Sequence, residues 1–437
     1  MLLLYWINIA LYFVAPFLFP VYATRRFRIG WLNPVVIPLL AGLPAAVVTT
    51  LSGPFFFLDD GLDNPYFQYA LLVANVHALA GLLSLVLLTR LFVGQPALVG
   101  FVERLARSGG PARPERMRLA AWLFFGLYAL SFLLLTRDTG LVAWILDPRT
   151  SYQLHRTGVG QWYALCITFL STSLVLATVY VRSTHTILLL ALPFVAAVFL
   201  LGQKSLVVAF AIYLLIILAV RRYRYLKPIS VLILGGALLL VGSLLAASFG
   251  TVGLDQVSQY SDYFVNAAHY YAQYLSGQLP LFGGQVTLTG LWGLAPRSLF
   301  PDKPYVYGPI LVIEHFFPGA AEKTFTPAFA TVDYFADFGW PQAVLSGLLA
   351  AGNVLTAFLY ALVLPRLNAL NLGAGGDHRR VLFYAFLWLA APSYLVFFDP
   401  PNNFILFGLI VALINLVNRV WVTRAVLRPA PDIMDTI

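Results

Sequence analysis

LLLYWINIALYFVAPFLFPVYATRRFR, Leu2 to Arg28, decides the class of the whole chain. Residues 2–22 are almost uniformly apolar, and Arg25, Arg26 and Arg28 close the run. A helix rises 1.5 Å per residue and the hydrocarbon core is about 30 Å thick, so about 20 such residues cross a membrane. No basic stretch precedes the run, so it reads as a retained span rather than a cleavable signal.

The rest of the sequence agrees. Of 437 residues, 60% are hydrophobic and only 10% charged, with a mean hydropathy of +0.82. A water-soluble chain of this length needs more charge to cover its surface. The expected fold is therefore an all-α polytopic membrane protein. The net charge of +9 then belongs to basic loops beside lipid headgroups and not to a nucleic-acid surface. Cys166 is the single cysteine, so no disulfide forms within the chain.

Hydropathy and length predict eleven transmembrane helices, at 2–22, 30–51, 67–89, 119–136, 161–181, 187–202, 205–220, 229–249, 340–364, 381–397 and 404–420. If Arg25–Arg28 is cytoplasmic, alternate loops sort the charges: 20 of the 27 Lys and Arg fall on that side, and 13 of the 18 acidic residues on the other. The positive-inside rule then puts the N-terminus outside and the C-terminus in the cytoplasm. Three regions result: helices 1–8 with short loops (1–249), a large outer loop (250–329), and the last three helices with a cytoplasmic tail (330–437). Outer segments 137–160 and 250–329 are too long to be simple connections.

Several outer residues carry chemistry. Residues 183–220 are barely long enough for two crossings, so Lys204 in LLGQKSLVV is held at the outer boundary. There it either snorkels or faces the bundle as a partner for phosphate. Residues 255–275 form an amphipathic helix with Val257, Tyr260, Phe264, Ala268, Tyr271 and Leu275 on one stripe. Asp255, Asp262, Asn266, His269 and Gln273 lie on the other. Such a helix lies on the membrane or caps the bundle. Its polar face is either solvated or a rim on which Asp262 or His269 takes a proton. Tyr260, Tyr263, Tyr270, Tyr271 and Tyr274 read as an interfacial belt or a sugar-stacking platform. Arg149, His155 and Arg156 in LDPRTSYQLHRTGVG suit phosphate oxygens or lipid headgroups. Asp59, Asp60 and Asp63 offer oxygen ligands without a clean cation-binding pattern. The turn FFDPPNNF, 397–404, brings Asp399, Asn402 and Asn403 outside.

Ionisable residues are missing from the predicted span centres, His77 being the nearest exception, which disfavours an ion-coupled transporter. Glycine-rich phosphate loops, HExxH and nucleophile elbows are also missing, so nucleotide and protease chemistry have no support.

Three segments resemble the Wzy-type O-antigen or oligosaccharide repeat-unit polymerases. APRSLFPDKP, within GLAPRSLFPDKPYVYG at Gly293–Gly308, is similar to a Pro-Arg…Pro-x-Lys-Pro stretch in that family's large periplasmic loop. VDYFADFGW, Val332–Trp340, is similar to a Gly-Glu-x-x-x-Asn-Phe-Gly stretch, with Asp333 and Asp337 replacing Glu and Asn. GQKS carries Lys204 where relatives have arginine in a Gly-x-Arg hairpin. The resemblance implies a GT-C-like glycosyltransferase of the bacterial inner membrane with a periplasmic site. It would move a growing chain from undecaprenyl pyrophosphate onto the next lipid-linked repeat unit, without sugar nucleotide, metal or other cofactor. Arg149, Arg156, Lys204, Arg297 and Lys303 would then stabilise the departing pyrophosphate. His269, Asp333, His315 and Asp262 are the candidates for proton removal. Implied partners are the lipid-linked oligosaccharide, membrane lipids and a chain-length regulator protein. An O-antigen ligase acting on lipid A–core, or a lipid-linked oligosaccharide transporter, are the alternatives.

Overall fold

A run of apolar residues can cross lipid only if its backbone groups pair within the segment, so the spans must be helices or a closed barrel. The computed structural model describes residues 2–100, 114–148, 151, 160–179, 181, 184–202, 206, 209–216, 227–248, 262–295, 299–321 and 327–365, and among these there are helices and turns but no strand. Among the described residues, five helical segments are long and apolar enough to cross a membrane: Leu2–Phe27, Val36–Phe57, Pro65–Val93, Arg118–Leu135 and Trp340–Val363. Where spans are expected at 161–181, 187–202 and 229–249, helices form over Gly160–Val179, Thr184–Leu200 and Pro228–Ser248, though their apolar stretches Trp162–Thr178, His185–Leu200 and Pro228–Ala237 are shorter. The span expected at 205–220 is described only in part, and those at 381–397 and 404–420 lie outside the described residues, as does the turn at 397–404. The polytopic helical character expected from composition is what the chain adopts.

The helices are α1 (Leu2–Phe27), α2 (Val36–Val47), α3 (Pro65–Val93), α4 (Pro114–Leu135), α5 (Leu141–Leu146), α6 (Gly160–Val179), α7 (Thr184–Leu200), α8 (Pro228–Ser248), α9 (Asp262–Leu275), α10 (Gln285–Gly290), α11 (Ile310–Phe316), α12 (Trp340–Leu349) and α13 (Ala351–Phe358). A π-turn at Val48–Ser52 carries α2 on to Phe57, and another at Leu359–Val363 extends α13.

The axis of the fold is α3. Asn64 starts it by accepting from the backbone amides of Tyr66 and Phe67, both at 3.0 Å, with Pro65 as first helical residue. Proline suits that position because its missing N–H would have been unpaired anyway. At 29 residues α3 measures about 43 Å, longer than the hydrocarbon core. Its Pro65 end packs against a cap.

Against α3 pack α1, α12, α13 and, from the cap, α9. The crossing with α12 is so close that a Cβ on Gly347 would lie 2.3 Å from the His77 carbonyl oxygen. Small residues let membrane helices approach this far. The span that begins at Trp340 then breaks at Ala350, whose ψ of 120° is extended. A break frees carbonyls that lipid cannot satisfy. Ser84 Oγ answers by donating to Leu348 O at 2.6 Å, and Asn353 Nδ2 by donating to Gly347 O at 2.7 Å.

Among the described residues, the larger apolar clusters lie in three places. One core joins α1 and α3 to α9 and the cap. A second joins α1, α2, α8 and the π-turn after α13. The third joins α4 to α7, where Tyr128 and Tyr163 donate to the carbonyls of Ala197 and Leu201 at 3.0 and 3.1 Å. Cys166 is buried there.

Candidate functional site

The cap grows from α9. Its described part begins at Asp262, so Val257 and Tyr260 lie outside the described residues. Phe264, Ala268 and Tyr271 are buried as the helical period predicts, but the covered arc is wider and includes Val265, Ala267 and Tyr270. Asn266, assigned to the polar face from its spacing, is buried and donates to Ala328 O at 3.0 Å. Leu275, assigned to the apolar face, is half exposed. Of the two expected placements for this helix, it takes the cap over the bundle: Phe264 packs edge-on to Tyr12 of α1 and Phe67 of α3. Tyr270 and Tyr271 are fully buried. They serve as core, which removes them both from an interfacial belt and from a sugar platform.

Segment 328–331 runs along α9. Ala330 N donates to Tyr263 O at 2.9 Å, and the hydroxyls of Tyr271 and Thr331 are hydrogen bonded at 2.9 Å. Thr331 has φ +67°, a left-handed conformation that a β-branched residue adopts only at a cost in strain. The turn it makes delivers Val332–Tyr334 against the bundle.

Here Tyr334 stacks on His77 of α3, with ring centroids 4.1 Å apart and planes at 22°. His77 Nδ1 lies 3.0 Å from Ser346 Oγ of α12. Beside Tyr334, the Asp333 side chain reaches solvent although protein encloses it on most sides; that burial pushes its pKa up to about 6. Gln342 fixes the backbone on both sides: its Nε2 donates to Asp333 O at 3.1 Å, while its Oε1 accepts from the amides of Asp337 and Phe338 at 2.8 and 3.1 Å.

Asp337 does something different. It is 1% exposed, and its carboxylate accepts from Val286 N at 2.9 Å and Thr287 N at 2.6 Å. These are the first-turn amides of α10, where a carboxylate satisfies unpaired donors and complements the helix dipole. Gly283 N and Phe282 N reinforce the junction by donating to Asp337 O and Ala336 O. From α10, Thr289 Oγ1 accepts from Gly308 N at 2.8 Å. Segment 332–340 and Gly308, the last residue of the stretch that holds the other motif, are thus fastened to opposite ends of one short helix.

Lys303 lies in the first of these segments. It is 9% exposed, its Nζ donates to Ala295 O at 3.1 Å, and the ammonium sits 4.5 Å from the centre of the Tyr307 ring. The carbonyl and the aromatic face together hold the ammonium in place. Of the proposed proton acceptors, His269 is exposed on α9. His315 is exposed on α11 and faces Gln273 Oε1 at 3.2 Å. Asp262 opens α9 with a pKa raised by partial burial. Asp59, Asp60 and Asp63 are exposed, and among the described residues no three His, Cys, Asp or Glu side chains converge as metal ligands. Arg149, His155, Arg156, Lys204 and Arg297 lie outside the described residues.

Ser346 and Gln342 belong to no motif, and only the tertiary contacts reveal them; Tyr334 lies within VDYFADFGW, but its spacing does not announce the stacking on His77. His77 does stand out in the sequence, as the ionisable residue nearest a span centre.

In comparisons with known proteins, the chain is similar to O-antigen polymerases from Salmonella typhimurium (strain LT2) and Salmonella typhi. Each is 28% identical over 208 residues, which is 45% of this chain and 48% of the relative. The chain therefore spans about half the length of the curated relatives it matches. The likeness to Wzy-type polymerases carried by the motifs has its counterpart in these relatives. No family model and no solved structure matches.

Proposed function

We propose that this protein polymerises oligosaccharide repeat units carried on undecaprenyl pyrophosphate, by glycosyl transfer at the periplasmic face of the bacterial inner membrane. The observation that carries this reading is the similarity to the two O-antigen polymerases; the cap geometry supplies parts for its residues.

In the reaction, the acceptor hydroxyl attacks the anomeric carbon of the donor. The carbon–oxygen bond to pyrophosphate breaks, and the pyrophosphate leaves with the electron pair. Asp333 is the base we favour over His269, His315 and Asp262. With a pKa of about 6 it is ionised at neutral pH, yet more basic than an ordinary carboxylate, which is what proton removal needs. Gln342 and the strained Thr331 position it. Lys303 and Arg297, with Arg149, Arg156 and Lys204, are the cations for the leaving group. A fixed positive charge where negative charge develops lowers the barrier without reorganisation. Lys303 is already oriented by Ala295 O and Tyr307. Asp337 holds α10, and through it segment 332–340 and Gly308, in register.

The test is purified protein in proteoliposomes given only lipid-linked repeat units. A ladder of longer lipid-linked chains is expected. No product until lipid A–core is added would make the protein a ligase. Movement of the lipid-linked unit between leaflets without any new linkage would make it a transporter.

A further inference from the structure

One surface of the cap is not explained by packing within the chain. Leu288, Leu291, Trp292, Leu299, Phe300 and Phe338 are 67, 45, 38, 72, 48 and 52% exposed. Two contacts tie members of this group together. The rings of Trp292 and Phe300 meet edge to face at 6.3 Å and 75°, which joins the 299–300 turn to the end of α10. Leu288 and Phe338 flank the same glycine: a Cβ on Gly284 would meet Phe338 Cζ at 3.1 Å and Leu288 Cδ1 at 3.8 Å. Gly284 also has φ +97°, so a side chain there is disfavoured twice over.

This patch is continuous with a surface whose neighbour is known by composition. Phe338 stands two residues before the span that opens at Trp340. Val344, Leu345 and Leu349 carry the exposed apolar stripe down that span at 37, 52 and 62%. The stripe faces hydrocarbon, because a membrane-spanning helix has no other solvent for such side chains. A contiguous apolar patch facing water would be anomalous for a loop. A patch that prolongs a lipid-facing stripe, with a tryptophan at its edge, has the composition of an element lying in the membrane interface.

We infer that α10, the turn after it and residues 299–300 are seated in the interfacial layer of the bilayer leaflet on the cap side, with membrane lipid as the occupant of the patch. Seated there, residues 299–304, Lys303 among them, lie beside the lipid headgroups. This inference does not rest on the proposed reaction.

Site-directed spin labelling tests it in the full chain, reconstituted in phosphatidylethanolamine–phosphatidylglycerol vesicles. Cys166, the single cysteine, is replaced by Cys166→Ala. Nitroxides are then placed singly by Leu288→Cys and Leu299→Cys, by Leu345→Cys as the lipid reference and by Ser276→Cys, in an exposed turn of the cap, as the water reference. The expected ratio of oxygen to nickel-chelate accessibility at 288 and 299 is several-fold above that at 276 and no higher than that at 345, as for side chains at the headgroup–acyl boundary. Nickel-chelate access matching 276 would overturn the inference by placing the patch in water. Shielding from both reagents would overturn it by placing the patch under protein, whether a second copy or another partner.

Discussion

Asp337→Ala removes a carboxylate that touches no predicted substrate group, yet it should disable the cap. In the native structure both carboxylate oxygens are engaged at 2.9 and 2.6 Å by the amides of Val286 and Thr287, and the side chain is 1% exposed. A hydrogen bond to a charged group contributes about 1.5–3 kcal/mol, and a buried donor left unpaired costs the same order. Helix-cap truncations by themselves cost about 0.5–2 kcal/mol. Two orphaned amides at a buried junction therefore predict a loss of about 3 kcal/mol from the cap. Asp337→Asn keeps one acceptor oxygen and should lose about half as much. Thermal unfolding in detergent reads the global part of the change. Amide hydrogen exchange at Val286 and Thr287 reads the local part, where protection should fall even if the spans stay folded. Chain elongation should drop with it, because α10 holds Gly308 and the Lys303 segment through Thr289. If elongation were lost while melting and exchange stayed native, Asp337 would be acting on the substrate directly, and its role as a helix cap would be refuted.

Asp333→Asn should abolish elongation and leave melting near native. In the unsubstituted protein, the carboxylate with its pKa of about 6 is protonated as pH falls, so the rate should be full above pH 7 and drop about tenfold by pH 5; a flat pH profile would remove Asp333 as the base. Gly347→Ala should destabilise the spans by about 1–3 kcal/mol, since its Cβ would lie 2.3 Å from His77 O and 2.9 Å from Ala80 Cβ. An unchanged melting temperature would contradict that helix crossing. Lys303→Met keeps the apolar stem but loses the ammonium over Tyr307, so kcat for chain transfer should fall while insertion is unaffected. Native chain lengths would take Lys303 out of the leaving-group site.

The spans were legible because membrane insertion is a local condition: about 20 apolar residues must satisfy their own backbone. The expected span at 67–89 lies within Pro65–Val93, and the one at 340–364 coincides with Trp340–Val363 to a residue. The break at Ala350 could not be seen, because it depends on Ser84 and Asn353 to take up the freed carbonyls. Helical spacing also placed Phe264, Ala268 and Tyr271 on the covered side of α9. It misassigned Asn266, since spacing reports a direction around the axis and not which carbonyl waits there.

By itself, then, the sequence determined a polytopic helical membrane protein, and it marked two motif-bearing segments, 295–304 and 332–340, as the places to look. Only the tertiary structure decided what their side chains do. The two aspartates of VDYFADFGW look equivalent in sequence. Asp337 turns inward to cap a helix some 50 residues earlier in the chain, while Asp333 stays open to solvent beside a tyrosine stacked on His77 of α3. The physical reason is that hydropathy is summed along the chain, whereas a carboxylate's role is set by the donors and the burial around it, which come from residues far away in sequence.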